Sequence, residues 1–373
     1  MNFSQTIIRW YNKNKRDLPW RHTKDPYKIW LSEIILQQTR VQQGLPYYET
    51  FVKKFPTIHH LAKAKEDVVM KTWQGLGYYS RARNLHYTAK FISKKLKGKL
   101  PDEYGEIKKL KGVGDYTAGA IASFAFNKPH PVVDGNVFRV LSRYFGIKTP
   151  IDTTKGKKAF TTKAEFLLDR KNPGLFNQAI MEFGALQCVP QNPGCEKCPL
   201  KKNCHALSKN LVDVLPIKSK KGKIRNRYFN YLIVRQNGKI LIRKRTENDI
   251  WKNLYDFPMI ETKKEMKPVP AFSKGKGENK LQVLPFGKDL GWAVPSKSFK
   301  HILSHQIIFA RFWEVKLSPS NTESVLCRTE KISSSLNGIQ NPNLSYINEN
   351  QLSKLAFPRL IERYFEEKSS KNN

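Results

Sequence analysis

The hydrophobic period changes once along the chain, and that change sets what the chain can fold into. Up to about residue 205, apolar side chains recur at helical spacing, as in Ile29–Leu36, Ala82–Ile92, Thr117–Phe126, Val137–Phe145 and Phe176–Leu186. Pro46, Pro56, Gly75–Gly77 and Gly112–Gly114 punctuate these runs, as breakers do between helices. From Arg227 the period is two. Tyr228, Asn230, Leu232 and Val234 alternate with Phe229, Tyr231, Ile233 and Arg235. Asn237-Gly238 then predicts a hairpin turn into a strand over Lys239–Arg243, because both residues tolerate positive φ. A further strand is expected over Gln306–Lys316 and a last helix over about Glu349–Glu367. The expected organisation is an all-α domain over 1–205, a basic, flexible linker over 206–225, an α+β domain over 226–368 with a loop or disordered insert at 262–280, and a tail at 369–373. The 373 residues suffice for such a multi-domain chain.

Charge narrows the partners. Lys and Arg number 67 against 31 Asp and Glu, a net charge of +36. Residues 1–225 hold 42 basic and 17 acidic side chains, so most of the field belongs to the helical part. Such a surface predicts a polyanionic partner, nucleic acid before an anionic membrane. No run of eighteen apolar residues exists and the N-terminus lacks a secretory apolar core. The expectation is therefore a cytoplasmic, nucleoid-associated protein without a membrane partner.

Four of the five cysteines, Cys188, Cys195, Cys198 and Cys204, fall within 17 residues among Pro190, Pro193, Gly194 and Pro199. In a chain without a secretory signal this spacing reads as a metal loop rather than a disulfide framework. Four thiolates suit either zinc or a [4Fe–4S] cluster, and spacing alone does not choose. Cys327 stands alone and reads as a small buried hydrophobe.

Three further stretches carry chemistry. In Leu110–Gly119 a basic segment ends, a turn with Gly112 and Gly114 follows, and a helix starts near Asp115. Glycines there admit close backbone approach, and the helix start offers unpaired N–H groups to a phosphate, with Lys111 beside it. Lys108, Lys109, Arg81 and Arg83 add to that expected grip. Two acids stand isolated in basic or apolar text: Glu33, on the edge of an apolar helical arc with Gln37, and Asp134 in Pro-Val-Val-Asp-Gly-Asn. Partial desolvation would raise the Glu33 pKa toward general-acid use, whereas Asp134 equally suits an ordinary helix N-cap. Paired carboxylates of this kind cleave glycosidic bonds. Finally, Gly75–Asn84 sets Tyr78 and Tyr79 beside Arg81 and Arg83. That composition suits a wedge in a distorted duplex, although Tyr79 suits a core position equally well.

Taken in order, LPWR (18–21), LSEIILQQT (31–39), GLGYYSRARN (75–84), GVGDYTAGA (112–120), VVDGNV (132–137) and the cysteine loop resemble the adenine DNA glycosylases of the MutY family, in the endonuclease III-like helix-hairpin-helix superfamily. The resemblance implies a helix-hairpin-helix at about 106–126 and a [4Fe–4S] cluster rather than zinc on the loop 188–204. It implies that Glu33 protonates a flipped adenine and handles the attacking water. Asp134 would stabilise the sugar cation, and Tyr116 and Asn136 would assist. It implies further that Trp20, Arg21, Leu36 and Gln178 line the base pocket, and that Gln38 and Tyr78 enter the base stack. The implied substrate is duplex DNA with adenine opposite 8-oxoguanine or guanine, bound by a monomer.

Strand-cutting relatives carry a Lys where this chain has Tyr116, and Tyr cannot form the Schiff base, so a monofunctional glycosylase is expected. The second domain resembles the family's Nudix-like recognition domain, with Ser304 and His305 in its lesion-reading loop. Leu303 departs from the aromatic usual before them. The glutamate-rich helix that binds Mg²⁺ in Nudix hydrolases is missing after Pro258, so no nucleotide hydrolysis is expected. Two alternatives remain: a bifunctional endonuclease III-like enzyme, and a non-enzymatic, cluster-bearing DNA-binding protein.

Overall fold

The computed structural model describes residues 2–219, 224–266, 269–270, 282–283, 292–303, 305–316 and 343–372. It divides into two compact units. The first joins Met1–Ala64 with Arg81–Lys221, and the second joins Lys65–Ser80 with Gly222–Asn373. One junction between them, Lys221/Gly222, lies near the change of period. One segment, Lys65–Ser80, lies in the helical half of the sequence yet packs with the sheet-bearing unit.

The first unit is helical: α1 (Phe3–Asn14), α2 (Pro26–Leu36), α3 (Val41–Lys54), α4 (Ile58–Lys63), then α6 (Ser80–Lys95), α7 (Tyr104–Lys109), α8 (Asp115–Phe126), α9 (Gly135–Phe145), α10 (Thr154–Leu167), α11 (Pro173–Leu186) and α12 (His205–Ser208). The intervening α5 (Glu66–Trp73) belongs to the second unit. Every helix expected from periodicity is present. Phe3, Ile7, Val140, Phe160, Phe176 and Phe183 build one core between α1, α9, α10 and α11. Ile29, Ala120, Phe124 and Val132 build another between α2 and α8. Helix α2 starts on Asp25, whose side chain accepts from the Tyr27 N–H at 2.9 Å, with Pro26 at the first helical position.

The expected flexible linker behaves differently in its first part. Leu215 is buried and its carbonyl accepts from Arg143 Nε at 3.1 Å. The Ile151 N–H reaches the Ile217 carbonyl at 3.0 Å. The stretch to Ser219 is therefore held on the first unit, because apolar residues interrupt its lysines.

The second unit carries a ten-stranded sheet: β1 (Arg225–Gln236), β2 (Lys239–Lys244), β3 (Tyr255–Asp256), β4 (Met259–Thr262), β5 (Val269–Pro270), β6 (Gln282–Val283), β7 (Trp292–Pro295), β8 (Phe299–Ile302), β9 (Gln306–Lys316) and β10 (Leu344–Asn348). Its central pair, β1 and β9, is parallel in the register Tyr231↔Phe312, and the other pairings are antiparallel. Asn237 and Gly238 both take positive φ, as the hairpin turn requires. Alternation on β1 is not one-sided, since Phe229 through Val234 are all buried. Leu232, Val234, Leu241 and Trp313 form a core on one face. On the other, Tyr231 and Phe312 stack at 5.1 Å, and Phe312 stacks on Tyr364 at 4.1 Å.

The last helix begins later than expected. Glu349–Lys354 is a 3₁₀ turn, and α13 spans Arg359–Asn372. Pro358 lies between them and starts a new helix rather than continuing the old one. Most of the insert expected at 262–280 and the lone Cys327 lie outside the described residues. No helix among the described residues is long and apolar enough to cross a membrane.

Candidate active site

Helices α2, α8, α9 and α11 converge on a cavity of ≈ 170 Å³. Glu33, Tyr116, Asp134 and Asn136 line it together with Trp20, Arg21, Leu36 and Gln178. All eight were singled out in the sequence, from five separate stretches. Trp20 is held edge-on against Tyr48 at 5.2 Å. No lysine lines the cavity among the described residues.

Glu33 is 6% exposed, deeper than a helix-edge position suggested. Burial pushes its carboxyl up to about 7, a hydrogen bond from the Tyr116 hydroxyl pulls back, and the Asp134 charge pushes further. Tyr116 rises well above its ordinary value, first through burial and then through the charges of Glu33 and Asp134. Asp134 is an N-cap and also lines the cavity. Its Oδ1 accepts from the Asn136 and Val137 N–H groups at 2.9 and 2.8 Å, as an N-cap of α9, and its Oδ2 accepts from Asn136 Nδ2 at 2.8 Å. Burial still raises its carboxyl, against those hydrogen bonds.

One cavity wall was not foreseen. Glu182, 1% exposed, pairs with Arg16 at 2.6 Å and Arg21 at 2.7 Å. Burial pushes its carboxyl up, but the hydrogen bonds from both arginines outweigh it and hold it at about 2. Arg21 also lies over Tyr11, whose hydroxyl donates to Gln178 Oε1 at 2.9 Å. The sequence signal existed: Glu182 is the lone acid in the apolar helix Pro173–Leu186, the same kind of exception that marked Glu33.

The loop after α2 is fixed from below. Arg81, expected on the phosphate surface, is instead 8% exposed. It donates to the Ile34, Ile35 and Gln37 carbonyls and so caps the C-terminus of α2. Gln37 Nε2 reaches Thr117 Oγ1 at 3.1 Å and does not line the cavity. Gln38 follows in the left-handed region (φ 54°), exposed. Tyr78 shares that backbone conformation (φ 46°) and is 45% exposed, but it belongs to the second unit. Tyr79 is a core residue at 3%.

The hairpin forms as expected, α7 and α8 joined by Leu110–Gly114. Gly112 has φ 86°, and a Cβ there would meet Asn84 Cβ at 2.8 Å. Gly114 precedes α8 without a side-chain cap, and nothing lies within 4 Å of where its Cβ would be. Lys108 is paired with Asp115 and Lys109 with Glu106, while Lys111 sits over the Tyr87 ring at 4.5 Å.

The cysteine loop holds four free thiols, none in a disulfide. Cys188, Cys195 and Cys204 lie near enough to Cys198 for their charges to act on it. Arg143 Nη1 points at Cys188 Sγ from 3.5 Å, and Arg139 ties the Cys188 carbonyl at 2.6 Å to Asn136 Oδ1 at 2.9 Å. Among the described residues no group of three or more His, Cys, Asp or Glu is gathered as a metal site. His305 is exposed and its carbonyl accepts from the Arg225 N–H at 3.2 Å; Ser304 lies outside the described residues.

Comparison with known proteins places this geometry. Residues 31–165 match the HhH-GPD superfamily base excision DNA repair proteins, and residues 230–367 match the NUDIX domain. An adenine DNA glycosylase of Buchnera aphidicola subsp. Acyrthosiphon pisum is 40% identical over 70% of this chain and 75% of its own length. One of Buchnera aphidicola subsp. Schizaphis graminum is 38% identical over 81% and 84%. One of Homo sapiens is 42% identical over 55% of this chain and 39% of its own. Among solved structures, a thermostable thymine-DNA glycosylase aligns with a TM-score of 0.52 and 34% identity over 56% of this chain and 95% of its own. With a helix-hairpin-helix unit, a Nudix-like unit and relatives matched over most of their length, the chain belongs to the adenine DNA glycosylases, enzymes of base excision DNA repair.

Proposed function

We propose that this enzyme hydrolyses the N-glycosidic bond of adenine opposite 8-oxoguanine or guanine in duplex DNA, acting as a monomer in the cytoplasm on the nucleoid. The observation that carries the reading is Glu33, a buried carboxyl at about 7, sharing one cavity with Asp134 and Tyr116. Raised that far, it still holds a proton in part of the molecules near neutral pH. It donates that proton to a ring nitrogen of the extruded adenine, the C1′–N bond breaks, and the bonding electrons leave with the base. Asp134, fixed by three hydrogen bonds, faces the sugar cation. Water adds at C1′ and returns its proton to Glu33. Tyr116 orients Glu33, and Asn136 orients Asp134. Arg21, Gln178 and Glu182 supply polar partners for the base, with Trp20 and Leu36 on its faces.

Without a lining amine no Schiff base forms, so strand cleavage is not part of the reaction. Gln38 and Tyr78 enter the base stack, each on a backbone held at positive φ. The start of α8 with Gly112, Gly114 and Lys111 takes a phosphate. Ser304 and His305 read the lesion, and the Nudix-like unit hydrolyses no nucleotide.

The donor set of the loop fits a [4Fe–4S] cluster. Its four free thiols are close neighbours. N–H groups of Arg143 and Leu200 face Cys188 and Cys198, as sulfur ligands of such clusters require. Bound there, the cluster would hold the loop; Arg139 and Arg143 anchor that loop to α9.

The test is single-turnover adenine release from duplexes with adenine opposite 8-oxoguanine or guanine. Glu33→Gln should abolish release while leaving binding intact, and borohydride should trap no adduct. Undiminished release by Glu33→Gln, or a trapped adduct, sinks the reading. The purified protein should be brown and absorb near about 400 nm; colourless protein with stoichiometric zinc refutes the cluster.

A further inference from the structure

The segment Lys65–Ser80 leaves the first unit and returns to it, and both of its ends are pinned there. His86 Nε2 hydrogen-bonds the Ala64 carbonyl at 3.0 Å before it, and Arg81 clamps α2 after it. The residues between belong to the second unit. On α5, Asp67 accepts from Lys244 Nζ at 2.8 Å and from the Tyr255 hydroxyl at 3.3 Å. Its neighbour Glu66 accepts from Asn253 Nδ2 at 2.6 Å. Lys71 Nζ reaches the Leu355 carbonyl at 2.9 Å, and Gln74 pairs with Glu362.

The turn after α5 is held the same way. Tyr79, buried, donates its hydroxyl to the Phe357 carbonyl at 3.3 Å while accepting from the Gly75 N–H at 3.3 Å. Trp73 Nε1 donates to the Gly77 carbonyl at 3.0 Å. Tyr78 is therefore presented from a turn whose neighbours on both sides are tied down, one of them directly to the second unit.

We propose that Tyr79 and Asp67 are positioning residues for the reaction: through them the sheet-bearing unit aims the turn that presents Tyr78 to DNA. The inference rests on the reading of Tyr78 as a wedge in the base stack. Its consequence is that the lesion-reading unit and the wedge are mechanically one body. The chain re-enters the first unit at Arg81, which donates to the Gln37 carbonyl, four residues after Glu33. Loosening the turn should then slow base extrusion without touching a group that contacts adenine.

The experiment uses the full chain and a duplex with adenine opposite guanine, with 2-aminopurine beside that guanine. Unstacking by a wedge raises its fluorescence on binding. Tyr78→Ala should remove the rise. Tyr79→Phe, which deletes one hydroxyl, should lower both the rise and the single-turnover release rate about fivefold, the worth of a hydrogen bond. Asp67→Asn should lower them about twofold, because its ion pair is partly exposed. In a Tyr78→Ala background neither change should cost anything more, whereas a general loss of folding would persist there. Melting curves of each variant check that the chain is intact.

Two results overturn the inference while leaving the wedge reading standing. One is wild-type fluorescence in Tyr79→Phe and Asp67→Asn when Tyr78→Ala has lost the rise. The other is equal losses with and without Tyr78. A full rise in Tyr78→Ala overturns the wedge reading itself, and the inference with it.

Discussion

Glu33→Gln should yield an inactive enzyme that is more stable than the wild type, and only above acid pH. The carboxyl is 6% exposed, and burial lifts it from 4.5 to about 7. Below 4.5 folded and unfolded chains both hold the proton, so the group costs nothing. As pH rises through the window from 4.5 to about 7, the unfolded chain releases a proton that the folded one retains, so folding loses ground. Above about 7 both states are ionised and the cost is complete. At 1.36 kcal/mol for each pH unit of that window it amounts to about 3 kcal/mol at pH 8, against about 1 kcal/mol at pH 5.

Gln has a similar shape, still accepts from the Tyr116 hydroxyl, and has nothing to ionise. For a helical unit of this size, about 3 kcal/mol corresponds to a melting temperature raised by about 6–12 °C. The assay is thermal unfolding of both full-length chains at pH 5, 6, 7 and 8, reading the difference between them so that other titrating groups cancel. A difference that does not grow with pH, or a Gln variant that is the less stable one at pH 8, would refute the reasoning: Glu33 would then be a solvated carboxylate.

The same acid predicts that single-turnover adenine release is flat below about pH 6 and falls toward tenfold per unit above about 7; a rate unchanged to pH 9 contradicts the acid role. Glu182→Gln leaves two arginines facing a buried neutral amide and should cost about 3 kcal/mol in urea unfolding. Because Glu182 is held at about 2, wild type should keep that contribution above its ordinary 4.5 and lose it only as pH falls toward 2. Gly112→Ala forces φ 86° on a residue whose Cβ meets Asn84 at 2.8 Å; it should lose about 1–3 kcal/mol of stability and weaken duplex binding in fluorescence anisotropy at every sequence alike.

Some of this was legible before any coordinates. Glu33 and Asp134 stood out because each is an acid without a solvating context, and burial is what such isolation implies. Glu182 satisfied the same criterion on α11 and shows that the criterion reaches further than the motifs it first served. Arg81 misled for the opposite reason. In a chain of +36 an arginine beside a glycine turn reads as a phosphate contact, and nothing local reveals that the last carbonyls of α2 sit within its reach. On β1 a period of two identified the strand but not its burial; Leu232 and Val234 pack on one face and Tyr231 stacks on Phe312 on the other.

Period, punctuation and charge by themselves pointed to a helical and a sheet-bearing part, to which helices form, and to a polyanionic partner. These are properties of residues near one another in the chain, decided by helical and strand geometry and by summed charge. The tertiary structure alone decided which acids share a cavity, that Glu33 is driven up while Glu182 is held down, and that Lys65–Ser80 joins the unit encoded more than a hundred residues later. A pKa depends on what surrounds a group in space, and a docking contact depends on which surfaces fold against each other. Neither is written in the order of residues.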